Sequence, residues 1–403
     1  MKILHITASV DERNGGVADA VLRLAETCVR DGLTSGDEIV CLDLPETLSR
    51  SEPPITVHAL GDDRPGRGPV DRFLNHYRYS PKFKPWLEAN LDRFDLAIVH
   101  GLWNYAPFAA SQVLPRRDVP YYVFPHGMMD PWFRKAYPRK HLLKQGFWTI
   151  GEGRLLAGAR ATLFTCEEEK RQARGAFWGH AYRSDIAPLG AVAPPPRTPA
   201  LVDAFHRHVP AVAGRRFILF LGRIHPKKGC DLLVQAYAAT AAKDPTLDLV
   251  VVGPDQEGWQ AQLQKMAADL GVADRIHWPG PLFDDAKWGA YYAAEAFALP
   301  SHQENFGIVV AEAMACGLPV LITDKVNIWE TVDQAGAGLV CSDDLPGVTD
   351  QLSAWMRSSP EDRLRMSEAA RTLYVERYGL TMATKNIIAL VGKDHAPKAD
   401  STP

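Results

Sequence analysis

The residues with the clearest chemical meaning follow a strand candidate in the second half of the chain. Phe217–Leu221 reads as a buried strand, and three cations and a histidine come after it, before an apolar-periodic helix begins at Cys230. Of these cations, Arg223 offers a planar fork of donors to phosphate oxygens, Lys228 adds a point charge, and the helix N-terminus adds backbone amides. The segment therefore indicates a diphosphate site that needs no metal, with a solvated basic turn as the alternative.

Two carboxylates lie eight positions apart at a second strand–helix junction. Glu304 stands in the polar loop after the strand candidate Ala296–Leu299, and Glu312 interrupts an otherwise apolar helix predicted over Phe306–Met314. A carboxylate is costly to bury unless it is hydrogen-bonded, and either sugar hydroxyls or an internal salt bridge would provide those bonds to Glu312. At the start of this helix, three backbone amides would point to an anion: those of Asn305, Phe306 and Gly307.

Two junctions in the first half could contact a sugar or a phosphate. Gly15 and Gly16 follow the first strand candidate and open a helix, so that a backbone without side chains can approach a ligand there, although paired glycines also form ordinary turns. The pair lacks the GxGxxG spacing of a dinucleotide-binding loop. His126 follows the strand candidate Tyr121–Phe124, and a structural role and a ligand-binding role are both open for it.

Short runs rich in β-branched residues alternate with helical patterns, which predicts βαβ units around parallel sheets with ligand sites beyond the carboxyl ends of the strands. The prolines at 194–196 predict a semi-rigid linker over 188–214 between two Rossmann-like α/β domains, 1–187 and 215–378, that face a central cleft. A helix over 379–395 is predicted to return to the N-terminal domain, and the tail 396–403 is expected to fray. Strands are predicted over 2–8, 38–42, 55–60, 96–99, 121–124 and 161–165, and over 217–221, 247–252, 276–278, 296–299 and 319–322.

The composition excludes several classes of protein. Among 403 residues, 45 are Lys or Arg and 48 are Asp or Glu, and the resulting net charge of −3 gives no indication of nucleic-acid binding. No two of the six cysteines lie closer than 13 positions, which argues against a zinc or redox motif and favours buried thiols. Because the sequence has neither a signal-peptide pattern nor a long apolar run, it predicts a cytoplasmic protein that meets a membrane only at its surface.

Taken in order, these junctions resemble the retaining, nucleotide-sugar-dependent glycosyltransferases of family four, which have the GT-B fold. The resemblance covers nearly the whole chain, and its most specific part is the pattern that runs from Glu304 through Asn305-Phe306-Gly307 to Glu312. It implies a UDP- or GDP-sugar donor and a saccharide acceptor, with no metal and no separate cofactor. The other matching motifs are Gly15-Gly16, Pro125-His126-Gly127, Gly222-Arg223 with Lys228-Gly229, Gly253-Pro254, and Gly280 with Leu282.

The resemblance also implies a role for each matched residue. Arg223 and Lys228 would hold the donor diphosphate and stabilise the charge that grows on it as the glycosidic bond breaks. Glu304 would contact the hydroxyls of the transferred sugar or act near the reacting face, and His126 would reach that sugar close to the reaction centre. The remaining donor-binding positions are Glu312 at the ribose, Leu282 at the nucleobase, Gly15, Gly16 and Gly253, and the amides of Asn305, Phe306 and Gly307.

One segment of the predicted acceptor-binding domain concentrates basic and aromatic residues. Residues 132–148 hold five Lys or Arg, five aromatic residues and no acid. A helix of this composition suits an anionic membrane surface or a lipid-linked diphosphate, while an ordinary amphipathic helix with a solvated cationic face fits equally well. The cations of this segment are Arg134, Lys135, Arg139, Lys140 and Lys144.

The sequence therefore predicts a retaining, metal-independent hexosyltransferase. Its acceptor is expected to be a saccharide, lipid-linked, in cell-surface polysaccharide biosynthesis, with peripheral contact to the inner face of the cell membrane. A sugar-nucleotide isomerase on the same fold, similar to the 2-epimerases, is one alternative, although such proteins do not typically carry the two cations and two glutamates in this form. A non-catalytic scaffold is the other, and the presence of that set together with His126 argues against it.

Overall fold

Seven parallel strands form the sheet in the first half of the computed structural model, which describes residues 1–11, 16–47, 55–62, 68–131, 134, 137–255 and 258–392. Their order in the sheet is β3-β2-β1-β4-β5-β6-β7. Most are buried on both faces, which explains why they read in the sequence as continuous apolar runs rather than as alternating patterns. The strands are β1 Ile3–Ile6, β2 Glu38–Cys41, β3 Thr56–Ala59, β4 Leu96–His100, β5 Tyr121–Phe124, β6 Thr162–Phe164 and β7 Ser184–Ile186.

Helices connect most of these strands, as is usual for parallel pairing. They are α1 Gly16–Arg30, α2 Pro69–His76, α3 Phe83–Asn90, α4 Tyr105–Val113, α5 Pro138–Phe147, α6 Gly153–Gly158 and α7 Glu167–Ala173. Between α5 and α6, residues Trp148–Glu152 form a single turn of π-helix.

The second sheet has six parallel strands in the order β10-β9-β8-β11-β12-β13. The strand order reverses next to β8, and in open α/β sheets such a switch point opens a crevice for ligands at the carboxyl ends. The strands are β8 Arg216–Leu221, β9 Leu247–Val252, β10 Ile276–Gly280, β11 Ala296–Leu299, β12 Val320–Thr323 and β13 Gly338–Cys341. Its helices are α8 Pro199–His208, α9 Cys230–Thr240, α10 Gln260–Asp269, α11 Asp284–Ala293, α12 Ile308–Ala315, α13 Trp329–Ala335, α14 Leu345–Arg357 and α15 Pro360–Leu373.

The chain divides into two compact units, Gly190–Gly379 and the two flanking segments Met1–Leu189 and Leu380–Pro403. The helix α16, Leu380–Gly392, groups with the first unit and packs against α1 there. Residues 393–403, which include the predicted tail, lie outside the described residues.

The predicted linker over 188–214 differs from the structure, because it contains the regular helix α8. Pro199 occupies the first turn of this helix, where its missing N–H and fixed φ are tolerated. Leu201 and Phe205 are buried, and α8 packs against α11 so closely that a Cβ on Gly289 would lie 2.0 Å from the carbonyl oxygen of Leu201. Residues 199–208 are therefore an integral part of the second unit rather than a connection.

Candidate active site

Three glycines form a bare backbone edge where β8, β9 and β10 end. Gly222 follows β8, Gly253 follows β9, and Gly280 is the last residue of β10. Gly253 has a φ of 149°, and a Cβ there would lie 1.7 Å from the carbonyl oxygen of Gly222. The amide of Gly253 donates to the carbonyl of Gly280 at 3.1 Å. Gly253, predicted as a donor-binding residue, is thus required first of all by the close approach of two backbones.

The predicted cation loop leaves this edge directly after Gly222. Arg223 is exposed at the carboxyl end of β8, and Lys228 ends a short 3-10 turn formed by Pro226–Lys228. Gly229 then caps the start of α9 with a φ of 65°, and a Cβ on it would lie 1.9 Å from the carbonyl oxygen of Pro300. The loop is therefore held against the segment that carries the second predicted junction.

Lys228 and Glu304 form an ion pair, which brings the two predicted junctions together. Both side chains are largely buried, with exposed fractions of 14% and 17%. The backbone of Glu304 is fixed as well, since its amide donates to the carbonyl of Lys325 at 2.9 Å and its carbonyl accepts from the amide of Asn327 at 3.0 Å. The carboxylate of Glu304 is thus held at the ammonium group that was expected to meet a diphosphate.

The segment after Glu304 leads into α12 through a left-handed glycine. Gly307 has a φ of 75° and precedes the first helical residue, so α12 begins at Ile308, two residues later than predicted. Phe306 is buried, with its ring 5.5 Å from that of Tyr378 in an edge-on arrangement. Asn305 accepts a hydrogen bond from the side-chain amide of Asn327 at 3.4 Å. These contacts fix the loop whose amides were expected to face an anion.

Glu312 is buried, and both of its carboxylate oxygens have partners. Lys287 Nζ donates to Oε1 at 2.6 Å, and the Tyr291 hydroxyl donates to Oε2 at 3.0 Å. Burial, with a smaller contribution from Glu312, raises the pKa of Tyr291 well above its usual range. Of the two interpretations of Glu312 that the sequence left open, the internal salt bridge is present in the structure. Lys287 and Tyr291 were not identified from the sequence. The only signal for them was that a buried carboxylate such as Glu312 needs hydrogen-bonding partners.

Leu282, predicted to present its backbone to a nucleobase, is buried just beyond the end of β10. Its neighbour Phe283 is 71% exposed, and Asp284 has a φ of 46°, in the left-handed region that non-glycine residues rarely adopt. An exposed aromatic ring beside a strained residue is a second feature of this turn that the sequence alone did not indicate.

In the first unit, His126 lies directly beyond β5 and is buried with a φ of 51°. Its ring stacks on that of Phe124, with the centroids 4.5 Å apart and the planes 5° from parallel. Burial lowers the pKa of His126 to about 3, so the imidazole is neutral at physiological pH. The following amide, of Gly127, donates to the Glu169 carboxylate at 2.6 Å, and Thr165 also donates to that carboxylate. Glu169 thus anchors the turn that holds His126.

The predicted glycine pair and basic segment lie in the first unit. Gly16 is the first residue of α1, whereas Gly15 and Lys135 lie outside the described residues. Arg134, Arg139 and Lys140 are exposed. Lys144 is half-buried, with its ammonium 4.8 Å from the centre of the Trp103 ring, and Lys140 has a similar contact with the Tyr137 ring at 5.0 Å.

Two leucines of α5 share the surface of the exposed cations, because Leu142 and Leu143 are 72% and 69% exposed. Among the helices that the structure describes, none has the combination of length and apolar character that a membrane crossing needs.

Two family models match the sequence and together cover most of the chain. The model described as Glycosyl transferases group 1 matches residues 202–373, and the one described as Glycosyl transferase 4-like domain matches residues 15–190. The first range contains the Lys228–Glu304 pair, and the second contains His126. The chain belongs to the group 1 glycosyltransferases.

Curated relatives of this glycosyltransferase include two D-inositol 3-phosphate glycosyltransferases. The protein of Nocardia farcinica is 33% identical over 196 residues, which are 47% of this chain and 43% of the relative. The protein of Thermomonospora curvata is 31% identical over 242 residues, which are 55% of this chain and 54% of the relative. The matched part of the chain therefore spans about half the length of each relative.

Solved structures share the fold of this glycosyltransferase at low sequence identity. Sucrose-phosphate synthase from Thermosynechococcus elongatus gives a TM-score of 0.74 at 17% identity, covering 98% of this chain and 100% of that one. Anabaena Alr3699/HepE in complex with UDP and glucose gives 0.74 at 16% identity, with the same coverage. The likeness shows the fold, which is GT-B with two Rossmann-like domains, each built on a parallel sheet.

Within the second domain of this glycosyltransferase, the residues at the carboxyl edge can bind an anion by three means. The backbone is open at Gly222, where a Cβ would have no neighbour closer than 3.8 Å, Arg223 and Lys228 supply positive charge, and the start of α12 supplies amides. The contacts of Gly229 and Glu304 fix the two loops before any ligand arrives, so their amides and the Lys228 ammonium could stabilise developing negative charge with little reorganisation.

Proposed function

We propose that this protein transfers a sugar from a UDP- or GDP-sugar to a saccharide acceptor with retention of the anomeric configuration. The observation that carries the proposal is the Lys228–Glu304 ion pair at the glycine-lined edge of the second sheet. In this proposal Lys228 would bind the diphosphate and the adjacent carboxylate of Glu304 would bind sugar hydroxyls, and these are the two parts of a nucleotide sugar nearest the reacting bond. The solved HepE structures, which are complexes with UDP and glucose and with UDP-glucose, support the same class of donor.

The proposed chemistry follows from the charge that develops on the leaving group. As the bond between the anomeric carbon and the diphosphate oxygen breaks, Arg223 and Lys228 stabilise the nucleoside diphosphate. The acceptor hydroxyl attacks from the same face, and its proton passes to the departing phosphate oxygen. Two fixed cations provide the positive charge that a metal ion provides in other enzymes, so we expect the rate to be unchanged by EDTA and no separate cofactor to be needed.

The donor assignment is tested by thermal stabilisation with UDP, GDP, ADP and their sugars. A ligand at one hundred times its Kd adds about 2.7 kcal/mol to the free energy of unfolding. We expect the matching nucleotide to raise Tm, and Arg223→Ala, Lys228→Ala and Glu312→Ala to reduce that rise. Lys265→Ala is the matched control, because Lys265 pairs with Asp269 on the exposed surface of α10. If no nucleotide raises Tm, or if the first three variants leave the rise in Tm unchanged, the donor proposal is wrong.

For the acceptor, we propose a lipid-linked saccharide of a cell-surface polysaccharide, reached from the cytoplasmic face of the membrane. The surface of α5 supports this, because Arg139 and Lys140 would attract anionic headgroups while Leu142 and Leu143 enter the interface. The relatives named for D-inositol 3-phosphate suggest a soluble phosphorylated polyol as the competing acceptor.

Flotation with liposomes tests the membrane contact, and glycosylation of a soluble polyol phosphate tests the competing acceptor. Vesicles that contain anionic lipid should carry the protein at low salt, and the double variant Leu142→Ser with Leu143→Ser should remain in the soluble fraction. Leu364→Ser is the matched control, since Leu364 is an exposed leucine of the second unit. If the protein does not float at low salt and a soluble polyol phosphate is glycosylated instead, the membrane proposal is wrong while the donor proposal stands.

A further inference from the structure

Three histidines form a diagonal row across the first sheet. His5 of β1 is in register with Ile98 of β4, and His100 lies two residues further along β4. His100 is in register with Phe124 of β5, and His126 lies two residues beyond. Because residues two positions apart on a strand share a face, the register places His5 and His100 next to each other, and the turn after β5, where His126 has a φ of 51°, brings the third ring beside them.

Direct contacts connect the three rings. His5 Nδ1 lies 3.1 Å from His100 Nε2, and His100 Nδ1 lies 3.1 Å from His126 Nε2. The rings also stack, with centroids 5.3 Å and 5.4 Å apart. All three side chains are buried, so every proton between them is shared within the row rather than with solvent.

A buried carboxylate closes one end of the row. Asp37 Oδ1 accepts the amide of Ile3 at 3.1 Å, and Oδ2 lies 3.5 Å from His5 Nε2. Within the described residues, neither His5 Nε2 nor Asp37 Oδ2 has a hydrogen-bond partner, so the two atoms face each other at ion-pair distance and not in a short hydrogen bond. The thiol of Cys28 also faces Asp37, and burial together with this carboxylate raises the pKa of the thiol, which therefore stays protonated.

The direction of the hydrogen bonds follows from this end. A carboxylate only accepts, so the proton of His5 belongs on Nε2 and its Nδ1 must accept from His100. By the same step, Nδ1 of His100 accepts from Nε2 of His126. We propose that Asp37, His5 and His100 are positioning residues that fix His126 as the Nε2-protonated tautomer and leave its Nδ1 as an acceptor for a ligand hydroxyl.

Two observations support the proposal. His126 Nδ1 is buried and has no hydrogen-bond partner in the described part of the chain, and an acceptor left in that state is costly unless a ligand supplies a donor. Burial also lowers the pKa of His126 to about 3 and that of His100 well below its usual value, so each ring carries a single N–H to place. That the ligand is a sugar rests on the proposed function, whereas the tautomer does not.

Nitrogen NMR of the intact chain with 15N-labelled histidine reads the tautomer directly. We expect His126, assigned by the loss of its signals in His126→Gln, to show a protonated Nε2 and an unprotonated Nδ1. A protonated Nδ1 or a doubly protonated ring in the wild-type spectrum would overturn the proposal without any variant of Asp37.

The substitution Asp37→Asn should reverse the direction of each hydrogen bond in the row of histidines. The amide of Ile3 keeps the Asn oxygen as its acceptor, so the Asn nitrogen donates to His5 Nε2 and each following proton moves to Nδ1. We expect the NMR signature of His126 to invert and kcat/KM to fall roughly tenfold to a hundredfold, because Nδ1 becomes a donor. Asp92→Asn, in a surface pair with Arg117, is the matched control.

The two readouts separate this proposal from the proposed function. An inverted tautomer in a protein that transfers no sugar from any donor would support the histidine row and reject the transferase. An unchanged tautomer in Asp37→Asn, with full activity, would reject the row and leave the transferase intact.

Discussion

Lys228 and Glu304 lie 76 positions apart in the sequence, and their side chains form an ion pair. The pair brings the cation loop and the glutamate loop together, and it also neutralises the charge of Lys228 before a ligand binds. A diphosphate therefore has to compete with Glu304 for Lys228. We expect the competition to favour a ligand that offers both an anion to the lysine and hydroxyls to the glutamate.

If the proposed function holds, Lys228→Ala should lower kcat by about 10²–10³, because it removes one preorganised charge proposed to face the leaving diphosphate. Steady-state kinetics at saturating donor measure the effect. Lys227→Ala is the matched control, since it removes a neighbouring cation of the same turn, and its kcat should stay within a few-fold of wild type. Equal losses in the two variants would mean that the loop acts only through its overall charge.

Lys287→Met should destabilise the second unit by about 3 kcal/mol, because it leaves the buried carboxylate of Glu312 without its cation. Urea denaturation measures the free energy of unfolding. Adding Glu312→Gln to this variant should recover much of the loss, since the amide removes the unpaired charge. Lys265→Met breaks an exposed ion pair and should leave the free energy of unfolding nearly unchanged. A loss as large as that of Lys287→Met would contradict the role of burial.

Gly253→Ala should be among the most damaging small substitutions in the chain. Its φ of 149° is strained for any side chain, and the new Cβ would collide with the carbonyl oxygen of Gly222. We expect a loss of unfolding free energy at least about 2 kcal/mol larger than that of Gly271→Ala. Gly271 is the matched control, because it has a φ of 73° but open space around its Cβ position. Equal losses would show that only the backbone angle matters.

Glu152 should make the stability of the first unit depend on pH. It lies fully buried in the π-helical turn, and burial raises its pKa from 4.5 to about 7. The folded state therefore holds a proton that the unfolded state releases between pH 4.5 and 7, so the free energy of unfolding falls as pH rises through that window.

Glu152→Gln removes this titration. The variant should be roughly 2–3 kcal/mol more stable than wild type at pH 8, and the difference should shrink toward pH 5. Urea denaturation across this range measures it. Glu167→Gln changes an exposed carboxylate of α7, and its difference from wild type in free energy of unfolding should not depend on pH. If the difference for Glu152→Gln is also the same at every pH, the raised pKa of Glu152 is contradicted.

The strands were predictable from the sequence because most of them are buried on both faces. All eleven predicted strands are present with bounds within two residues of the expected ones. The two that were missed, β7 and β13, lie at the ends of the sheets and are only partly buried. A short strand such as Ser184–Ile186 has no apolar run, and only its pairing with β6 defines it.

The contacts of the site were less predictable than its residues. Lys228 and Glu304 were selected separately for their chemistry, but nothing local to either loop indicates that they touch. The row from His5 to His126 depends on which strands are neighbours in the sheet, and the spacing of residues in the sequence does not predict the order of the strands. In the predicted linker, the prolines at 194–196 lie outside helices and strands as expected, but the linker was extended too far, because Pro199 begins the helix α8.

The division of the chain has a consequence for its synthesis. Helix α16 packs on α1, yet it is made only after all of Gly190–Gly379 has been translated. The nascent first unit must therefore wait with the surface of α1 uncovered while the second unit, which is continuous in sequence, can fold to completion. We expect this interval to be the stage at which a ribosome-bound chain is most dependent on chaperones.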